Sequence, residues 1–242
     1  MIRNMLLLFG ALLAAAQPAI AMHHENPASD EGGFTTLMVK TSDPEAYIDV
    51  LKSNNSAFKA TGTAAAGYCL TRSGHDHPGQ MLVWSAFPTL SEALASSTKY
   101  DPMGSTDSAF TDLREVKYGV TWKPLMPFKL APGYERMIRV VVPYADRMAF
   151  VAKMTEAQKG LYAAGFKMNL GVFESIGGGK TEANILHVRA VAPSASDFGA
   201  VLDAFYAGSI EMGGNSWIEA FAMVSEVKSD YMQECAQIYQ AD

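Results

Sequence analysis

Residues 34–51 read F-T-T-L-M-V-K-T-S-D-P-E-A-Y-I-D-V-L, and residues 137–154 read M-I-R-V-V-V-P-Y-A-D-R-M-A-F-V-A-K-M. The second stretch restates the first at an offset of 103: Asp43 falls on Asp146, Tyr47 on Phe150, Leu51 on Met154, and further along Phe58 on Leu161 and Gly62 on Gly165. Gly67 meets Gly171 at 104, Pro88 meets Pro193 at 105, and Glu115-Val116-Lys117 returns as Glu226-Val227-Lys228 at 111. The offset only grows, as small loop insertions in a second copy make it do. A period of this length exceeds a solenoid unit. The chain reads as two copies of one small domain, packed on each other as an internal pseudo-dimer.

Within the first copy, Phe34 to Lys40 alternates like a strand. Ser42-Asp43-Pro44-Glu45 then opens a helix, with a polar cap and a proline just inside. Tyr47, Val50, Leu51, Asn54 and Phe58 share one face of it, and Gly62 ends it. Strands are expected over 65–71 and 81–87, joined by the turn Gly74-His75-Asp76-His77-Pro78-Gly79. A helix capped by Thr89 with Glu92 follows to about residue 98, and a fourth strand over 113–122. The order is β-α-β-β-α-β, the ferredoxin-like unit. The second copy repeats it, with strands near 137–142, 168–176, 184–192 and 225–232. Its helices fall near 145–164 and 195–208, the latter running on through a Gly-Gly break to Ala222. The fold class is α+β: two tandem ferredoxin-like domains, residues 34–123 and 134–242. The linker at 124–133 is marked by Pro124, Pro127 and Pro132.

The segment Met81-Leu82-Val83-Trp84-Ser85-Ala86-Phe87-Pro88-Thr89-Leu90-Ser91-Glu92-Ala93-Leu94 is similar to the strand-Trp-helix signature of the dimeric α/β-barrel superfamily, which includes antibiotic-biosynthesis-type monooxygenases. The resemblance implies two ferredoxin-like sheets facing inward as a barrel, here both from one chain. The haem-degrading branch of that family places a second Trp early in the helix after strand three, with a His further along. This chain has neither between Glu92 and Leu113. Haem is therefore disfavoured and the cofactor is left unknown.

Residues 1–21 have the features of a secretory signal peptide: Arg3, an apolar run from Met5 to Ala16, and Ala19-Ile20-Ala21 as cleavage site. The run is shorter than the ~20 residues a membrane span needs. A polar leader over 22–33 follows, and the mature chain is expected to be periplasmic or secreted with no membrane span. A net charge of −6 without a Lys/Arg cluster excludes nucleic acid as a natural partner. Cys69 and Cys235, one in each copy, form a disulfide across the copies or remain buried free thiols. The oligomeric state is not readable from the sequence.

Facing follows from alternation. Thr35, Leu37, Val39, Ile138, Val140, Val142, Met81, Val83, Leu186 and Val188 form the apolar side that packs on helices. The opposite side carries Thr36, Leu82 and Trp84 in copy one and Arg139, His187 and Arg189 in copy two. One wall is apolar and aromatic, the other basic. Such a cavity suits a partly apolar organic anion. In the blander alternative, Arg139 and Arg189 pair with Glu174 or Glu182.

Weaker constellations exist. His75 and His77 have the spacing of a strand-borne metal pair, but Gly and Pro around them indicate a solvated turn. His23 and His24 at a mature amino terminus have the makings of a Cu(II) chelate, set against an ordinary polar leader. Gly177-Gly178-Gly179-Lys180-Thr181 lacks the first glycine of a phosphate loop and joins two strands. Three functions follow: an exported binder of a small organic anion through Thr36, Trp84, Arg139, His187 and Arg189, a cofactor-independent monooxygenase-like enzyme, or a structural or interaction module.

Overall fold

The computed structural model describes residues 32–104, 108–210 and 214–241. The segment expected to be a signal peptide, most of the expected leader and His23 and His24 lie outside them. Strand β1 (Gly33–Thr41) alternates as expected, with Leu37 and Val39 on the helix side and Phe34 and Met38 on the other. Helix α1 (Pro44–Ser53) starts where Asp43 Oδ1 accepts from the Ala46 amide at 3.0 Å. It does not run to Gly62. Asn54 is extended and its Oδ1 accepts from Ser56 N at 3.3 Å and Ser56 Oγ at 2.7 Å. This side chain competes with the helix for backbone donors and starts a second helix, α2 (Ser56–Thr61), which Gly62 closes at φ 76°.

Strands β2 (Ala65–Ser73) and β3 (Gln80–Phe87) form a hairpin. Helix α3 (Leu90–Ser96) carries the expected capping box between Thr89 and Glu92. Helix α4 (Ser108–Thr111) and strand β4 (Arg114–Pro124) complete the first half. The second half runs β5 (Gly133–Val141), α5 (Arg147–Ala163), β6 (Asn169–Ile176), α6 (Gly179–Glu182), β7 (Leu186–Ala192), α7 (Ala195–Tyr206), α8 (Ser216–Phe221) and β8 (Glu226–Gln240). The expected continuation of α7 to Ala222 is interrupted. Gly208 takes φ 67° and Ser209 N reaches back to Ala204 O, a left-handed stop.

The strands close a barrel in the order β1-β3-β2-β8-β5-β7-β6-β4, and every pairing is antiparallel. Split at its seams, this gives β4-β1-β3-β2 and β8-β5-β7-β6. The two seams differ. Along β2–β8 pairing runs from Ala65–Gln240 to Ser73–Met232, because β8 continues well past the expected residue 232. Along β4–β6 it runs only from Thr121–Ile176 to Pro124–Phe173. Helices cover the outside over two cores: Tyr47, Leu51, Phe58, Met81 and Val83 in the first half, Phe150, Met154, Leu161, Leu186 and Val188 in the second. No helix among the described residues is long and apolar enough to cross a membrane.

The stretch expected as the linker is tied to the body. Leu125 N donates to Val172 O at 2.8 Å, and Met126 is buried in the second core. Phe128 and Leu130 pack among Phe34, Val120, Trp122 and Phe173 on the inward side of the strands. Prolines keep this segment out of the sheet, but the apolar side chains between them find the barrel interior. Gly171 leaves the space: a Cβ there would meet Phe128 Cδ2 at 2.5 Å. Gly67, its counterpart in the repeat, does the same beneath Trp84, whose indole ring a Cβ would overlap.

Candidate functional site

The five residues expected to line a pocket between the halves do share the inward face; Thr36 also borders a cavity described below, while the other four are engaged by neighbouring side chains. Arg139 and His187 are register partners across β5 and β7. The Arg139 Nε donates to Glu182 Oε2 at 3.0 Å and its Nη2 to Thr181 O at 2.7 Å. His187 Nε2 lies 3.3 Å from the same carboxylate, and its ring packs on Trp122 with centroids 3.8 Å apart. Burial, opposed by Glu182, holds His187 below the usual imidazole pKa, so the neutral ring donates its Nε2–H. Burial pushes Glu182 up, but the hydrogen bond from His187, the charge of Arg139 and the hydrogen bond from Tyr118 hold it below the usual carboxylate range. Trp122 Nε1 donates to Thr36 Oγ1 at 2.7 Å. Arg189 forms a two-pronged pair with the fully buried Glu135 and lies over the rings of Phe128 and Phe173. Trp84 packs with Met38, Leu82 and Leu130. The basic wall is thus neutralised by Glu182 and Glu135, and the space is occupied by Phe128 and Leu130.

Cys69 and Cys235 face each other in register across the β2–β8 seam and form a disulfide. Glu135 Oε2 lies 3.0 Å from the Cys235 sulfur. In the β2–β3 turn His75 is exposed and His77 half-buried, and neither enters a metal-capable group among the described residues.

The open space is elsewhere. A cavity of about 360 Å³ lies between the outer face of the first half's sheet and its helices. Leu51, Phe58, Val83, Phe87 and Phe110 give it apolar walls, and Thr35, Ser85 and Thr121 project from the strands. Ile176 and Gly177, from the second half, close one side. Arg114, at the start of β4, is its cation. Its Nη1 donates to Tyr47 OH at 2.8 Å and its Nη2 to Tyr100 OH at 2.9 Å. The guanidinium sits 5.3 Å from the Phe110 ring centroid and 5.8 Å from that of Tyr47. Among the described residues no carboxylate forms an ion pair with it. Burial raises the Tyr47 pKa despite Arg114, so that phenol stays neutral and leaves the charge uncompensated.

The corresponding space in the second half is nearly filled. A cavity of about 110 Å³ remains there, with walls that include Ile138, Leu170, Val188, Phe198 and Trp217. Phe150 and Ala157, counterparts of Tyr47 and Asn54, are fully buried in that core. Reading the sequence for a pocket between the halves missed Arg114, Tyr47, Tyr100 and Phe110. The signal was present in the repeat as two polar-for-apolar differences, Tyr47 against Phe150 and Asn54 against Ala157, and one charged-for-neutral difference, Arg114 against Ser225 at the offset of 111.

No protein-family profile and no curated protein matches the sequence. Solved structures do match in shape. An anthrone oxidase-like protein superposes with a TM-score of 0.55 at 12% identity, covering 89% of this chain and 98% of its own. A candidate monooxygenase from Lactobacillus acidophilus gives 0.53 at 13%, covering 86% and 95%. A haem-binding protein from Thermus thermophilus gives 0.51 at 12%, covering 86% and 92%. At these identities the likeness is one of fold, that of the dimeric α/β-barrel proteins.

Haem does not fit the cavity's donors. Among the described residues that line it there is no His, Cys or Met, and Tyr100 is engaged by Arg114. The expectation of an exported module holding an organic anion between the halves is corrected on two counts. The arginines meant to hold it are paired and the interior is filled, and the structures this chain resembles are oxygenase-like and haem-binding proteins.

Proposed function

We propose that this chain is a monooxygenase-like enzyme built from two ferredoxin-like copies, residues 34–123 and 134–242, in which the first copy carries the active cavity. The repeated strand order and the sequence repeat support the tandem reading. The observation that carries the function is Arg114: a half-buried cation, braced by two phenols and two rings, facing a largely apolar cavity in which no described carboxylate, Asp101 of the lining included, forms an ion pair with it. A fixed cation of this kind favours the ionised form of a bound phenol or enol. Such an anion, made from an aryl-activated methylene, can give up electrons to dioxygen directly. The methylene carbon exchanges both its hydrogens for one oxygen atom and becomes a carbonyl. The second oxygen atom takes up those two hydrogens and leaves as water, so one dioxygen is consumed for each methylene oxidised. Leu51, Phe58 and Phe110 supply the apolar surface for a flat aromatic body. Tyr100, whose oxygen accepts from Arg114, keeps its own O–H to donate to the developing oxyanion. The name of the anthrone oxidase-like neighbour fits this substrate class.

The test is dioxygen uptake by the purified protein with anthrone, with anthraquinone as product. Arg114→Gln is expected to lower kcat/KM by roughly 10²–10³-fold, the effect of losing one preorganised oxyanion donor. Wild-type uptake no faster than buffer, or an Arg114→Gln variant as fast as wild type, would overturn the reading.

A further inference from the structure

The first half's cavity is not made by the first half alone, and one side chain governs the piece that comes from the second. The β6–β7 connection, residues 177–185, supplies Gly177 to the cavity wall next to Ile176 at the end of β6. It reverses through left-handed backbone at Gly177, Gly179 and Asn184. Out of this connection Glu182 enters the barrel and is wholly buried. Three strands donate to its carboxylate: Tyr118 of β4 at 2.8 Å, Arg139 of β5 at 3.0 Å and His187 of β7 at 3.3 Å. Arg139 also grips Thr181 O, and Ser175 Oγ donates to Glu182 O at 2.6 Å. The β4–β6 ladder ends at Thr121–Ile176, where the cavity begins. The Tyr118–Glu182 hydrogen bond therefore bridges the seam beyond the last strand pair, between the two elements that line the cavity on that side.

We infer that Glu182 is a positioning residue for the active cavity: seated in the barrel, it bolts the second half's β6–β7 connection against β4 and so completes the wall formed by Ile176 and Gly177. Glu182 touches no substrate. Releasing it opens the cavity on the seam side, which weakens the hold on substrate without altering the Arg114 chemistry. The inference rests on the reading of that cavity as the active site, and the experiment separates the two.

The probe is anthraquinone-2-carboxylate, a non-reacting aromatic anion, with its dissociation constant measured by calorimetry for wild type, Arg114→Gln, Glu182→Gln and Tyr118→Phe. Tyr118→Phe keeps the Glu182–Arg139 ion pair and removes only the bond across the seam, so it carries the test should Glu182→Gln fail to fold. Glu182→Gln and Tyr118→Phe are expected to weaken binding about tenfold and raise KM for anthrone alike, with kcat within about twofold of wild type, the pattern of lost uniform binding. Wild-type affinity and KM in Tyr118→Phe, with Arg114→Gln impaired, would overturn the bolt and leave the cavity reading standing. Undiminished binding by Arg114→Gln, or no binding by wild type, would overturn the cavity reading and the bolt with it.

Discussion

At the scale of single residues, this protein keeps two kinds of arginine apart. Arg139 and Arg189 are inside the barrel and matched by Glu182 and Glu135. Arg114 is outside it and held by the hydroxyls of Tyr47 and Tyr100, with no ion-pair partner among the described residues. Removing water from an unpaired charge is costly, so the paired arginines are structural and the unpaired one is the candidate for chemistry. Both kinds look alike in the sequence, because the pairing partners lie 43 and 54 positions away. His187 gives a prediction at this scale. Its folded pKa is depressed by burial. The unfolded chain takes up a proton near the ordinary value of about 6.5, and the folded chain does not. His187 therefore costs no stability above that pH and an increasing amount as pH falls below it. Urea midpoints measured from pH 7.5 down to 5.0 should decline, and His187→Phe, which retains a ring against Trp122, should flatten the decline. A slope unchanged by the substitution would contradict the buried neutral assignment.

At the scale of elements, alternation and capping were largely legible. The parity of β1, β3, β5 and β7 sorts helix-facing from inward residues as the structure has it, since a strand whose two faces differ in polarity has one workable register. The capping box at Thr89–Glu92 is local chemistry and appears where expected. Two features were not legible. Asn54 breaks the first long helix through bonds to Ser56, a local competition that the apolar stripe around it conceals. The segment 125–132 is rich in proline, which indicates a linker, yet Phe128 and Leu130 fill the barrel. Composition gives no sign of which space an apolar side chain will find. The consequence is measurable: Phe128→Ala should destabilise the protein by about 1–3 kcal/mol in urea denaturation, less than a fully buried aromatic truncation because the ring is half-buried against Phe173. A loss under about 0.5 kcal/mol, typical of a surface position, would mean that the segment is an ordinary linker.

At the scale of the whole molecule, the two four-strand halves of the barrel are unequal. The seam along β2 and β8 is long and carries the Cys69–Cys235 disulfide, while the seam along β4 and β6 is short and is reinforced by Tyr118 and Glu182. Each half's last strand sends a tyrosine hydroxyl to a carboxylate in the other half's hairpin, Tyr118 to Glu182 and Tyr231 to Asp76. The halves differ in the space under their helices: a roomy cavity with an unpaired cation in the first, a nearly filled core in the second. The repeat made the architecture readable, but which space stays open depends on packing volumes that no pairwise comparison of letters supplies. The central claim, that chemistry belongs to the first half's cavity, is tested most directly by a crystal structure of the protein with bound anthraquinone-2-carboxylate. The account predicts the ligand between Phe58 and Phe110 with its carboxylate on Arg114. Ligand found inside the barrel, or beneath the helices of the second half, would contradict it.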